Sequence, residues 1–349
     1  MQLKRSSIYI LAALIALPLF GTRASATTIE VIQTFNFPGS TSTMPQKISD
    51  QKDLTGTTIT TNGKTRAFIY KVLIHKFSPP LFPDFSGGSA TQGRGINNRR
   101  HVVGEYLNTS DGTFHGYLMT HPNCADTAPD MICPLVYDPL DVAGASNTIP
   151  LGINNFGDIV GTAIFSNGTQ TAFLNVNQVV TTFAVPGATA TFAYQVNSTN
   201  QIVGYYTDSG AVPHGYRRDS AGALTFPIDV PGATGTFLLG NNDSNWGVGR
   251  YTDASGVTHG FFYITPDNIQ IYDYPGATYT SLTGINKDGL ICGYYYDAAG
   301  VNHGLVLRLN SDATPTPTPT ASPTPTSTPT PTPTPRPTDN PPVGIRRAL

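Results

Sequence analysis

Charge is scarce in this 349-residue chain: Lys, Arg, Asp and Glu make up 12% of it, and the 20 basic and 22 acidic residues nearly cancel. A near-neutral chain offers no basic face, so neither nucleic acid nor an anionic membrane is expected as a partner. Catalytic motifs are missing too: there is no GxSxG elbow, HExxH helix, glycine-rich phosphate loop or EF-hand-like calcium loop. No cofactor and no metal is expected. Two carboxylates at hydrolase separation leave no trace in a sequence, which keeps an enzyme open as a second reading. Long apolar runs are lacking with one exception, and that exception is an address.

The exception is IYILAALIALPLF at 8–20, preceded by Lys4 and Arg5 and followed by the small-residue triplet ASA at 24–26. This is the form of a secretory signal peptide spanning 1–26 and cleaved after Ala26, placing the mature chain outside the cell or on its surface. The competing reading is an uncleaved anchor, for which the run is short against the ~20 residues of a membrane span. After cleavage no membrane span remains. Of three cysteines, Cys124 and Cys133 lie close together in NCADTAPDMIC. An oxidising compartment would allow them to close a small disulfide loop, worth roughly 2–3 kcal/mol by chain entropy; two free thiols are the alternative. Cys292 is left over and is expected to be buried packing. Residues 311–349 form a Thr/Pro-rich tail, TPTPTPTASPTPTSTPTPTPTPRPT from about Thr314. It is expected to lack a packed fold and to act as a semi-rigid spacer of roughly 75 Å, since polyproline conformation advances about 3.1 Å per residue.

Between these ends, residues 27–310 repeat. A glycine ends a short apolar stretch at Gly56, Gly104, Gly161, Gly204, Gly249 and Gly293, mostly about 45 residues apart. Segments such as GINNRRHVVG (95–104), GINNFGDIVG (152–161) and GINKDGLICG (284–293) precede it, and PGAT or PGST lies further upstream. Each unit reads as four short strands. In the fifth copy they fall at about 235–242, 246–252, 258–263 and 268–274, here termed A to D. A glycine between B and C in every copy (Gly63, Gly112, Gly168, Gly210, Gly256, Gly300) is the chemistry of a tight hairpin. Pro227 marks strand D as an outer edge, because proline cannot donate to a central ladder. Four-stranded units of this length are β-propeller blades. The mature chain starts on a D-like strand at 28–36 and its last copy stops after C, so pairing the two ends completes a sixth blade. The expected fold is therefore all-β: a closed six-bladed propeller, monomeric.

The GIN-x-x-G-x-I-V-G-x-Y segment followed by His-Gly-Phe/Tyr resembles the bacterial extracellular HAF-type repeat family, over about residues 28–309. That resemblance implies an exported repeat protein with a propeller fold. This chain has His-Gly where the family has His-Ala, with RAF (66–68) and TAF (171–173) in copies one and three. The family carries no catalytic residues over to this chain.

Four of the seven histidines, His115, His214, His259 and His303, occupy one repeated position on strand C. Strand C lies roughly 10 Å outside strand A, so these imidazoles cannot converge on one metal ion, and one nearby acid per blade (Asp208, Asp253 or Asp297) is too few. They are expected to be structural braces, with each Asp accepting backbone N–H groups in its turn. Asp138, Asp141, Asp229 and Asp273 are expected to be turn-formers. Function is sought instead in residues that break the pattern: Arg94, Arg99, Arg100, His101 and Glu105 in the second copy, Arg217 and Arg218 in the fourth, and Trp246 and Arg250 in the fifth. Glu105 and Arg250 fall on opposite sides of the ring, so they are not expected to pair. Trp246 could offer a stacking face for sugar, though core packing is the stronger expectation. The function read from this pattern is a secreted non-catalytic module binding a glycan or cell-surface component. The alternative is a secreted hydrolase or lyase acting on a polysaccharide or small ester at the central channel.

Overall fold

The computed structural model describes residues 28–78, 88–121, 135–265 and 268–310. Strand β1 (Thr28–Phe35) comes first. Blade one is β2 (Ser40–Ile48), β3 (Asp53–Thr60), β4 (Thr65–Lys71) and β5 (Lys76–Phe77), and blade two is β6 (Gly88–Ile96), β7 (Val102–Asn108), β8 (Thr113–Thr120) and β9 (Val136–Pro139). Blade three is β10 (Ala145–Ile153), β11 (Ile159–Phe165), β12 (Gln170–Val176) and β13 (Val179–Phe183). Blade four is β14 (Ala190–Val196), β15 (Ile202–Thr207), β16 (Pro213–Arg218) and β17 (Leu224–Ile228). Blade five is β18 (Gly235–Asn241), β19 (Gly247–Thr252), β20 (Thr258–Thr265) and β21 (Asn268–Tyr272). Blade six, β22 (Tyr279–Ile285), β23 (Leu290–Tyr296) and β24 (Asn302–Asn310), is completed by β1, antiparallel to β24 from Thr28↔Asn310 to Phe35↔Gly304. The ring closes as its two ends predict, and residues Ala26–Asn310 form one compact unit.

The repeated glycine is explained by what surrounds it. A methyl group on Gly204 would lie 1.9 Å from the Phe192 carbonyl oxygen on strand A and 2.9 Å from the Tyr216 ring on strand C. Only a bare Cα fits between a main chain and an aromatic ring at that distance. Tyr117 and Tyr216 lie across their glycines and donate O–H bonds to the carbonyls of Gln92 and Phe192. Directly after the strand A residue paired to this glycine, all six A strands bulge: the register jumps from Pro45 to Lys47, Gly93 to Gly95, Pro150 to Gly152, Ala193 to Gln195, Leu238 to Gly240 and Leu282 to Gly284. A bulge leaves one residue outside the ladder and re-aims its side chain.

Apolar packing lies between blades and not in one central mass. Phe35, Leu54, Phe68 and Val306 fill the junction of blades six and one, while Val248, Phe262, Ile285 and Leu307 fill that of five and six. Cys292 is a free, fully buried thiol within the first of these clusters, and burial pushes its pKa up to about 11. The B–C hairpins follow the glycine reading except in blade four, where Ala211 and not Gly210 takes the left-handed conformation (φ 60°). The turn itself is unchanged, since Ala211 is the third residue after Asp208 as Gly256 is after Asp253, and each aspartate accepts the N–H groups two and four residues on; the glycine has moved one place earlier.

The expected disulfide is corrected to this extent: no disulfide is found among the described residues, whose one cysteine, Cys292, is free, and Cys124 and Cys133 lie outside those residues. The signal segment and the Thr/Pro tail lie outside them as well. No helix among the described residues is long and apolar enough to cross a membrane.

Ring closure rests on β1, whose Phe35 stacks on Tyr70 of blade one at 4.3 Å. Deleting residues 27–37 is expected to lower Tm by roughly 10 °C or more, or to abolish folding. Thermal unfolding followed by circular dichroism checks this, and an unchanged melt would contradict closure through this strand.

Candidate functional site

The asparagine of the GIN segment builds the mouth of the channel. In Asn154, Oδ1 accepts the N–H groups of Phe156 and Asp158 and so holds the A–B turn, while Nδ2 donates to the Asn197 carbonyl in the next blade. Asn97, Asn197, Asn242 and Asn286 do the same, each reaching the main chain of the following blade at 3.0–3.1 Å. Blade one has Ser49 at this position. The five amides form a collar of outward-donating staples around the axis.

Three residues before the collar, roughly 10 Å along the strand, the bulged side chains turn inward. Gln46, Arg94, Tyr194, Leu239 and Thr283 are the residues skipped by the register in their blades, and all five line one cavity of about 200 Å³. Thr57, Arg250 and Tyr294 complete it from strand B, each immediately after its repeated glycine. Off-pattern chemistry therefore converges on the axis.

Arg94 and Glu105 share a bidentate ion pair, with Nε and Nη2 at 2.9 and 2.6 Å from Oε1 and Nε at 3.1 Å from Oε2. Burial works against the Arg94 charge, but the Glu105 carboxylate beside it raises its pKa further. Arg250 does not pair with Glu105, as its place in the ring predicts; its guanidinium lies 4.3 Å from the Phe237 ring centroid. Lys47 is a site residue that sequence reasoning missed. It replaces the GIN glycine in blade one, is buried, and donates from Nζ to the carbonyls of Leu239 in blade five (2.6 Å) and Thr283 in blade six (2.8 Å). Burial lowers its pKa to about 7, with Arg94 adding to the effect and Cys292 opposing it. The signal was present, since QKI at 46–48 aligns with RGI and LGI, but the first copy lacks the GIN motif that draws the eye.

The other off-pattern residues do not converge here. Arg100 binds Asp53 of blade one through Nε. His121 donates to the Arg99 carbonyl, and its ring lies 5.6 Å from that of His101. Arg217 and Arg218 lie over the rings of Tyr263 and Phe183. Trp246 is half-buried against the cluster of Ile285 and Leu309, the packing role expected of it.

Each repeated histidine is held by two side-chain partners, where the sequence pointed to one nearby acid per blade. His259 Nδ1 donates to Asp273 at 2.8 Å, its Nε2 lies 3.4 Å from Asp253, and its ring stacks on Tyr251. His115 bridges Asp141 and Asp111, His214 bridges Asp229 and Asp208, and His303 bridges Asn36, just past the closing strand, and Asp297. The sequence placed the second acids near the PGAT turns but could not show that they fold back. Because the two partners sit on opposite edges of the imidazole, they cannot share an ion with it; among the described residues no group of three or more His, Cys, Asp or Glu is placed to hold a metal.

No family model matches the sequence, and no curated protein matches it. Among solved structures the chain is similar to AofleA from Arthrobotrys oligospora, at 9% identity over 82% of this chain and 90% of that one, with a TM-score of 0.52. Looser likenesses are the Aleuria aurantia lectin AAL, solved in complex with Fucalpha1-6GlcNAc (10% identity, 77% and 94% covered, TM-score 0.45), and the β-propeller domain of the Trilobed protease from Pyrococcus furiosus (10%, 78% and 85%, TM-score 0.42). At these identities the likeness concerns the fold alone.

Burial opposes protonation of His259, but Asp273 and Asp253 outweigh it and hold the pKa above the ordinary value near 6.5. A raised pKa contributes stability that is full below pH ~6.5 and fades as pH rises through the folded value. His259→Ala is expected to lower Tm by about 2–4 °C at pH 5.5, by less at pH 8.5, and to leave ligand binding intact; melting curves at the two pH values read this out. For Lys47 the sign is opposite, because its folded pKa is depressed and the unfolded chain binds the extra proton between about pH 7 and 10.5. The Tm of Lys47→Met relative to the parent should therefore rise as pH falls from 10 to 7, and a pH-independent difference would contradict a buried, proton-shedding lysine.

Proposed function

We propose that the protein is an exported, non-catalytic β-propeller that binds a glycan or cell-surface component through its channel end. Its repeats belong with the bacterial HAF-type extracellular proteins, and its Thr/Pro tail spaces the ring from whatever it is attached to. The observation that carries the binding reading is the cavity itself. Aromatic faces (Tyr194, Tyr294) and hydrogen-bonding groups (Gln46, Thr283, Arg250) meet there in an accessible space, the mixture a polar ligand with apolar ring faces requires. The acids that could act as proton donors or nucleophiles have other occupations. Both Glu105 oxygens are taken by Arg94, and Asp141, Asp229 and Asp273 accept from the brace histidines. Phe156 stands 72% exposed on the rim beside the collar and widens the apolar surface a ligand would meet.

A glycan panel assayed in parallel for binding and for cleavage tests this. Binding without turnover is expected, and Tyr194→Ala should weaken it about 5- to 150-fold, given 1–3 kcal/mol for a lost aromatic stack. Turnover that disappears on replacing a single acidic residue would establish an enzyme instead.

A further inference from the structure

Arg250 makes no ion pair and no hydrogen bond with any described residue, yet it is half-buried on the wall of the axial cavity. A guanidinium cannot shed its proton, so Arg250 presents a standing positive charge to the cavity. Nothing fixed neutralises it. No Asp or Glu lines the cavity, Glu105 is engaged on both oxygens by Arg94, and Lys47 adds a second cationic group whose hydrogens face two carbonyls. Thr57 Oγ1, also on the wall, is buried without a partner. Leaving a charge and a hydroxyl unsatisfied is costly, and the cost is relieved if a ligand supplies acceptors. The remaining wall is aromatic, from Tyr194 and Tyr294. At about 200 Å³ the cavity has the volume of several waters of ~30 Å³ each, room for one small ring and its charged substituent.

We propose that the channel cavity is a specific site for the carboxylate of an acidic sugar, with Arg250 as the bidentate anchor, Thr57 as a hydroxyl partner and the Tyr194 and Tyr294 rings flanking the sugar. A planar fork suits a carboxylate better than a point charge does, and the tight aromatic walls favour a flat carboxylate on a ring over a tetrahedral phosphate. Lys47, near its protonation midpoint at neutral pH, adds a second charge as pH falls. The proposal deepens the glycan reading by naming the ligand's acid group, and it can fail while that reading survives.

The full chain is titrated calorimetrically with glucuronate, glucose and inorganic phosphate at millimolar concentration, alongside Arg250→Ala and Thr57→Val. The expected result is saturable binding of glucuronate, none of glucose, and weaker binding of phosphate. Arg250→Ala should lose at least tenfold in affinity, and its melting curve verifies that it folds. Thr57→Val loses only a hydroxyl and should bind more weakly with Tm unchanged or raised, whereas a purely structural threonine would leave binding untouched. No glucuronate binding, phosphate bound more tightly than glucuronate, or glucuronate bound equally by folded Arg250→Ala would each overturn the assignment. Neutral glycans bound equally well by Arg250→Ala would uphold the broader glycan reading while overturning the channel site.

Discussion

Asn154 holds its own turn with one amide atom and the neighbouring blade with the other, and four further asparagines repeat the arrangement around the axis. A blade alone has no way to fix its angle to the next one; apolar packing between sheets is non-directional and tolerates sliding. A side chain that donates to the next main chain removes that freedom, since an unmade bond at a buried site costs about 1–3 kcal/mol. The glycines beside the asparagines serve the same end. A methyl on Gly240 would sit 3.0 Å from the Gly284 Cα, so the inner strands approach as closely as backbones allow.

That closeness also produces the site. Drawing six A strands tightly around an axis leaves each with one residue more than its ladder accommodates, and the bulge turns the surplus residue inward. Folding dictates where the bulge falls and says little about which residue occupies it. Gln, Arg, Leu, Tyr, Leu and Thr are all found there. The pattern thus creates six positions free to carry chemistry, and five of them line the cavity.

The ring, its blade count and its closing strand were legible because they rest on short-range rules that each repeat states again: a hairpin glycine, an edge proline, alternation along a strand. Arg94, Glu105 and Arg250 stood out as departures from that repetition, and all three lie at the axis. The pairing of Arg94 with Glu105 was not legible, because a bulge shifts the register by one residue and no residue type marks it. Lys47 escaped for a related reason: its neighbours in the ring are blades five and six, remote in sequence and adjacent only after closure. The second carboxylate on each histidine was hidden likewise, since fourteen residues separate His259 from Asp273.

Ser49 occupies the one place in the collar where the main-chain carbonyl accepts the staple of the previous blade but the side chain offers no amide to the next. Between blades one and two the missing link is replaced by charge: Arg100 binds Asp53, and Asp50 and Asn98 exchange hydrogen bonds. The junction of blade one with blade six, the blade in which the chain's two ends meet, is by contrast sewn by Asn286, Thr283 and Lys47 together. The ring accordingly has a seam that is not where the polypeptide closes. Five joints are fixed by an amide, and this one by an ion pair and an Asp–Asn exchange over the apolar filling of Ala67, Ile69, Ile96 and Val102. A ring of repeated fastenings thus carries one odd clasp, and that clasp gives the otherwise interchangeable blades a fixed order around the axis.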